Sequence, residues 1–281
     1  MDKNNLVENY NKVMQESSYK ILAKSAFRFS DNAAKFLGGL TTNGTDKPMN
    51  SFLDRLGKLI ALADQKAIGD EVYIAIEEKF EGRFLQHISS FLKFSKTRME
   101  KLDLKAVHII NGSNDKISDL LAALEKNNNM TIKKNIGAIV LLKDDELRLL
   151  DNVNEIPDEI YEIVRIENNI PVQGIDFDNV MFLETGLYDA VSFTKGCYLG
   201  QEIIARVHYK GNPARKLVRT LYKELPEGGN VRIKGEIAGK ITSECFSPKY
   251  NKYLAFAVIK DYEMEVDGGN ILRQSSAKAK V

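Results

Sequence analysis

The chain has 281 residues, 43% of them hydrophobic and 28% charged, with a formal net charge of +1. That length supports a large core divided over two or three structural units, and the near-zero charge supplies no global field to draw the protein onto nucleic acid. The longest apolar runs, such as LIALA at 59–63, are far too short to span a bilayer, so neither nucleic acid nor membrane is an expected partner.

The opening stretch MDKNNLVENYNKVMQE carries Asp2, Glu8 and Glu16, with no arginine before Arg28 and no apolar core. It reads as neither a secretory signal nor a transit peptide, and a cytoplasmic, prokaryotic location is expected. Leu6, Tyr10, Val13 and Met14 recur at helical spacing. FRFS then predicts a strand, and DNAAKFLGGL an amphipathic helix capped at Ser30 or Asp31 and closed by Gly38 and Gly39. TTNGTDKP at 41–48 is a loop of turn formers.

KLIALADQKAIGDEVYIAI predicts two strands around a turn, Phe80, Phe84, Ile88 and Phe91 a helix, and AVHII a further strand, with a helix through Ile117 to Leu124. This order suggests a compact α+β unit over about 51–137. AIVLLKDDELRLLD reads as a hairpin with a solvated acidic tip at Asp144 to Glu146, and 157–190 as loop-rich, punctuated by Pro157, Pro171, Gly174 and Gly186. From Arg215 onward, short strand-like pieces separated by Gly or Pro turns predict a small β-barrel or sandwich.

Cys197 and Cys245 are the only cysteines, 48 positions apart, beside three histidines, His87, His108 and His208. Such a set argues against a disulfide framework, a zinc ribbon or a resident iron–sulfur cluster, so no metal site is expected. Val191 and Phe193 alternate with Ser192 and Thr194 like a half-buried strand, Gly196 permits a turn, and Leu199, Ile203 and Val207 place a helix start near Tyr198. Cys197 would then sit at a helix N-terminus beside Lys195, where both the dipole and the cation favour a thiolate. Two other readings stay open: a buried, inert thiol, and a cysteine nucleophile. His208 is a poor base for the latter, lying roughly 16 Å along the helix.

VSFTKGCYLGQEIIARVHYKG resembles the KGCYxGQE signature of the YgfZ-type folate-binding proteins, relatives of the glycine-cleavage T-protein that act in iron–sulfur protein maturation. DNAAKFLGGLTTN, RIENNIPVQGIDF and AGKITSECFSP resemble further stretches of that family, while 51–137 matches mainly in element order.

The resemblance implies an α+β, three-domain ring around a bound tetrahydrofolate. Its parts would be a discontinuous first domain (1–50 and 138–210), a ferredoxin-like middle domain (51–137) and a C-terminal β-barrel (211–281). It implies Glu167 and Glu184 as acceptors for the pterin N–H groups, Glu167 in the better-matched setting. Gln173 stands where the family has a tyrosine. Arg206, Tyr198, Gln201 and Glu202 belong to the matched run, and Cys197 with Lys195 would carry the thiol chemistry. Lys210, Arg215, Lys216 and Arg219 offer either a solvated junction or a cationic rim for a folate tail. Gly44 stands where the T-protein typically has an aspartate implicated in one-carbon transfer, so a maturation factor is favoured over an aminomethyltransferase, with a folate-independent thiol redox module as the third reading. The implied partners are a reduced folate and iron–sulfur client proteins or assembly machinery.

Overall fold

The computed structural model describes residues 2–110, 130–260 and 262–272; the helix expected over Ile117 to Leu124 lies outside them. The strands form three five-stranded sheets. The first contains β2 (Lys24–Ser30), β3 (Met49–Leu53), β4 (Leu59–Ile68), β5 (Glu71–Glu77) and β6 (Arg98–Leu102), in the order β3-β4-β5-β2-β6. Phe27, Phe29, Ile74 and Ile76 pack from it against Phe84 and Ile88 of α3 (Glu81–Leu92) and Leu37 of α2 (Ala33–Gly38). The cap of α2 differs from expectation. Asn32 precedes the helix in the left-handed region (φ 62°) and no side chain caps it; Asp31 is left-handed too (φ 57°) and its carboxylate pairs with Arg98.

The second sheet contains β1 (Ser18–Leu22), β7 (Lys105–Ile110), β8 (Met130–Lys133), β9 (Ala138–Leu142) and β10 (Asn154–Glu155), in the order β10-β1-β7-β9-β8. α1 (Lys3–Gln15) and α4 (Asp158–Glu167) share a core with it, in which Tyr10 and Val13 meet Ile110, Ile160, Ile163 and Val164. Two expectations are corrected here. The stretch read as loop from 157 begins with a helix, because Asp158 and Glu159 favour its first turn and Ile160, Ile163 and Val164 fall on one buried face. The expected hairpin at 138–151 is a strand followed by a 3-10 turn, Asp144–Leu150. There the Glu146 carboxylate accepts the Lys143 N–H at 2.8 Å and Leu150 turns into the core.

The third sheet is wholly antiparallel: β11 (Lys216–Tyr222), β12 (Asn230–Ile233), β13 (Glu236–Ser247), β14 (Lys252–Ile259) and β15 (Gly269–Leu272), in the order β12-β13-β14-β11-β15. Cys245 lies within β13. Strand pairing joins residues from both sides of positions 51 and 138: β2 pairs with β5 and β6, and β1 and β9 flank β7. A single apolar cluster ties Leu53 and Leu59 of the first sheet to Phe182, Tyr198 and Ile204 and to Leu217, Leu254 and Phe256 of the third. Among the described residues no helix is long and apolar enough to cross a membrane.

Candidate functional site

The segment ahead of Cys197 is irregular rather than the strand its alternation suggested, because its bonds go to a second loop instead of a ladder. The Ser192 N–H donates to the Thr42 carbonyl at 2.8 Å, the Thr42 hydroxyl to the Ala190 carbonyl at 2.5 Å, and the Asn43 amide to the Asp189 carbonyl at 2.8 Å. Lys195 Nζ donates to three carbonyls of that loop, Gly38 at 2.9 Å, Thr41 at 2.7 Å and Asn43 at 3.0 Å. All three ammonium donors are therefore used, and none goes to the Cys197 sulfur. Burial pushes this ammonium down to about 8. Lys195 thus fastens the cysteine loop to the 38–43 loop.

The helix that follows, α5 (Gln201–Lys210), starts later than the spacing suggested. Gly200 precedes it at φ 82°, and a Cβ there would lie 2.6 Å from the Asp54 carbonyl oxygen, so only glycine serves. Cys197 accordingly stands ahead of the helix rather than in its first turn, and it is exposed. Ile204 is the buried residue of α5. Tyr198 is buried in the shared core, and burial pushes its hydroxyl up to about 12. Gln201 is half-buried, while Glu202 and Arg206 are exposed. His208 stacks on Phe193, ring centroids 3.6 Å apart.

Glu167 ends α4 and is 5% exposed. Its Oε2 accepts the Tyr10 hydroxyl at 2.7 Å and its Oε1 the Ser247 hydroxyl. Nη1 of Arg219 donates to the carbonyls of Glu167 at 2.5 Å and Ile166 at 3.3 Å, capping the helix end. Cys245 lies two residues before Ser247, and burial, with the Glu167 carboxylate adding to it, pushes that thiol up to about 12.

Arg165, two residues earlier in α4, is a buried fork. Nη1 donates to Asp176 at 2.8 Å, Nη2 to the Ser243 hydroxyl at 2.8 Å, and Nε and Nη2 to Glu162 at 2.6 Å each. Asp176 also accepts the Val172 N–H at 2.7 Å. RIENNIPVQGID and ITSECFS are in this way clasped to each other. Gln173 uses both ends of its amide on β4, accepting the Leu62 N–H at 2.9 Å and donating to the Ile60 carbonyl at 3.2 Å. Glu184 accepts from Arg215 Nε at 3.2 Å.

The residues singled out in the sequence are therefore not brought together in one place: Gln173 is held by β4, Glu184 pairs with Arg215, and Gln201, Glu202 and Arg206 lie on α5. Lys195, Cys197 and Tyr198 gather on the loop tied to Thr42 and Asn43, and Glu167 lies where α1, α4, β11 and β13 meet. Gly44 follows Asn43, and a Cβ on it would come within 2.3 Å of Asp46 Oδ1. Sequence reasoning missed Tyr10 and Ser247 as partners of Glu167. The signal for Ser247 was its place in the matched ITSECFSP run; Tyr10 had none beyond helical spacing. Among the described residues no cluster of His, Cys, Asp or Glu is placed to hold a metal ion.

No family model matches the chain. It is 23% identical over 197 residues to an uncharacterized protein of Haemophilus influenzae, covering 66% of each chain. It is 33% identical over 131 residues to an aminomethyltransferase of Symbiobacterium thermophilum, covering 43% of this chain and 34% of the relative. Over 56 residues it is 41% identical to the mitochondrial iron-sulfur cluster assembly factor IBA57 homolog of Dictyostelium discoideum, covering 18% and 14%. Less than two thirds of each of these relatives is matched. The crystal structure of the glycine cleavage system aminomethyltransferase T from Bartonella henselae superimposes with a TM-score of 0.78 at 13% identity, covering 95% of this chain and 86% of that one. The chain has the α+β, multi-domain fold of that protein.

Proposed function

We propose that this protein binds a reduced folate, tetrahydrofolate or a close relative of it, and uses it with the Cys197 thiol in assembling or repairing iron–sulfur clusters of other proteins. The observation that carries the reading is the presentation of Cys197: an exposed thiol on a loop held in one place by the three carbonyl bonds of Lys195. A structural cysteine is ordinarily buried, as Cys245 largely is.

The residues fit a folate. Glu167 is a buried acceptor whose two oxygens each take one protein donor and keep a further lone-pair direction, and Arg219 beside it has a buried Nε without a partner. A reduced folate supplies the pterin chemistry; the chain's own residues bind and orient it. The T-protein fold and the similarity to an aminomethyltransferase and to a cluster assembly factor support the same reading.

Calorimetry with tetrahydrofolate tests the first half. Wild type binds, and Glu167→Gln binds roughly 30-fold or more weakly; absence of binding by wild type defeats the proposal. Complementation tests the second half: Cys197→Ser folds normally and fails to restore cluster-enzyme activity in a strain lacking the protein.

A further inference from the structure

The edge strand β6 carries a convex feature at one end and a concave one at the other. The convex feature is the turn that leaves α3. Phe94 stands there 93% exposed, against 64% for Leu56, the next most exposed large apolar side chain among the described residues. The turn itself holds the ring out: the Phe94 N–H donates to the Phe91 carbonyl at 3.2 Å, the Ser95 N–H to the Leu92 carbonyl at 3.0 Å, and the Thr97 N–H to the Ser95 hydroxyl at 3.2 Å. Lys93, Lys96 and Arg98 flank Phe94 along the chain and are exposed as well.

The concave feature is a groove of about 780 Å³ at the other end of the strand, where the first and second sheets meet. Leu102, Leu104, Met130 and Leu141 line it and belong to an apolar cluster that the two sheets share. Asp103, Asp144, Asp145 and Glu146 line it too, against Lys143 and Arg28, and Arg28 is already paired with Glu71 and Glu100. The leucines and the methionine are half-buried or buried while the three aspartates are exposed, so the groove is apolar within and acidic at its rim. It complements the Phe94 turn in shape, polarity and charge. Between the two features runs β6, laddered to β2 from Arg98 to Leu102. An extended strand of that length keeps its ends roughly 13 Å apart, so the ring does not fold into the groove of its own chain.

We infer that the protein self-associates, the Phe94 turn of one copy seating in the Leu102, Leu104, Met130 and Leu141 groove of a second copy, with Lys93, Lys96 and Arg98 against the acidic rim. Burial of the ring supplies most of the attraction; exposed ion pairs add little energy and instead set orientation and partner choice. A single aromatic anchor with a polar rim makes a weak, transient contact. Sedimentation velocity on the full chain without folate, from micromolar to near-millimolar protein, tests it. The mass should rise with concentration, and Phe94→Ser should weaken association roughly 30- to 100-fold. Charge reversal gives the decisive comparison. A protein with Lys93→Glu and Lys96→Glu opposes an acidic turn to its own acidic groove, and one with Asp144→Lys and Asp145→Lys opposes a basic turn to a basic groove. Each alone should stay monomeric, whereas an equimolar mixture should associate, since every turn then meets a groove of opposite charge. The four substituted side chains are exposed, so both proteins keep their fold, which circular dichroism checks. Three results would overturn the inference: a wild type monomeric at every concentration, association that these variants leave unchanged, or a mixture no more associated than its parts. Co-sedimentation of a monomeric wild type with phosphatidylglycerol vesicles, lost in Phe94→Ser, would assign the turn to a lipid surface instead and overturn it equally.

Discussion

The hydroxyl of Tyr10, in the first helix, donates at 2.7 Å to the carboxylate of Glu167, 157 positions further along the chain. Both side chains are buried, and the bond ties the N-terminal helix to the end of α4. Because the acceptor is charged, Tyr10→Phe should lower stability by about 1.5–3 kcal/mol. Urea unfolding measures this directly, and an unchanged midpoint and slope would mean that the helix docks without help from the bond.

The two cysteines should separate cleanly under alkylation. Cys197 is exposed and Cys245 lies largely within the protein, where burial first and the neighbouring Glu167 second push its thiol up to about 12. Iodoacetamide at neutral pH, followed by mass spectrometry of each peptide, should label Cys197 while Cys245 stays free until the protein unfolds. Faster labelling of Cys245 would show that the β13 core opens readily.

A pH dependence of stability follows from His108. Its Nδ1 accepts the Tyr161 hydroxyl at 2.9 Å and its Nε2 donates to the Ile136 carbonyl at 2.8 Å, an arrangement of the neutral ring. Burial pushes the imidazole from 6.5 down to about 4, with Lys134, Asp64 and Lys24 the charged groups facing it. Between those values the unfolded chain binds more protons than the folded one, so stability should fall as pH drops from 6.5 towards 4, by ~3 kcal/mol in full. Asp64 acts lower. Burial opposes its charge, but Lys134 and Lys24 outweigh burial and hold its carboxyl down to about 2, from 3.8. Its contribution is therefore present above 3.8 and lost as pH falls from there towards 2. Denaturant unfolding from pH 7 to 4.5 should show a slope that His108→Gln removes; equal slopes in both proteins would place the proton uptake elsewhere.

Aminomethyl transfer to tetrahydrofolate should be marginal. Gly44 has no side chain, and the space where its Cβ would lie is taken by the Asp46 carboxylate, 2.3 Å away. Loss of one positioned acid-base group removes roughly 10² to 10⁴ of rate. An assay with a lipoyl-bound aminomethyl substrate should find turnover lower by that order than an authentic aminomethyltransferase. Turnover at an ordinary enzymatic rate would mean that Asp46 or another group does the work.

Local pattern determined much of this protein. The spacing of Phe84 and Ile88 announced α3, strict turn residues marked β4 and β5, and the short segments after Arg215 announced the third sheet, because periodicity and turn chemistry act over a few residues. The α+β class followed from the order of those elements, and the KGCYLGQE run pointed to Cys197 as the residue to watch. Tertiary structure alone decided the rest. Lys195 looked like a neighbour for a thiolate, yet its ammonium turns to carbonyls that precede it by some 150 positions. The cap of α5 moved to Gly200 because Asp54, from another part of the chain, leaves no room for a Cβ. Glu167 could be named from its motif, but not its partners Tyr10, Ser247 and Arg219, which come from three other elements. A buried polar group must find its hydrogen bonds wherever the packed chain brings a partner, and sequence spacing carries no record of contacts made across the fold.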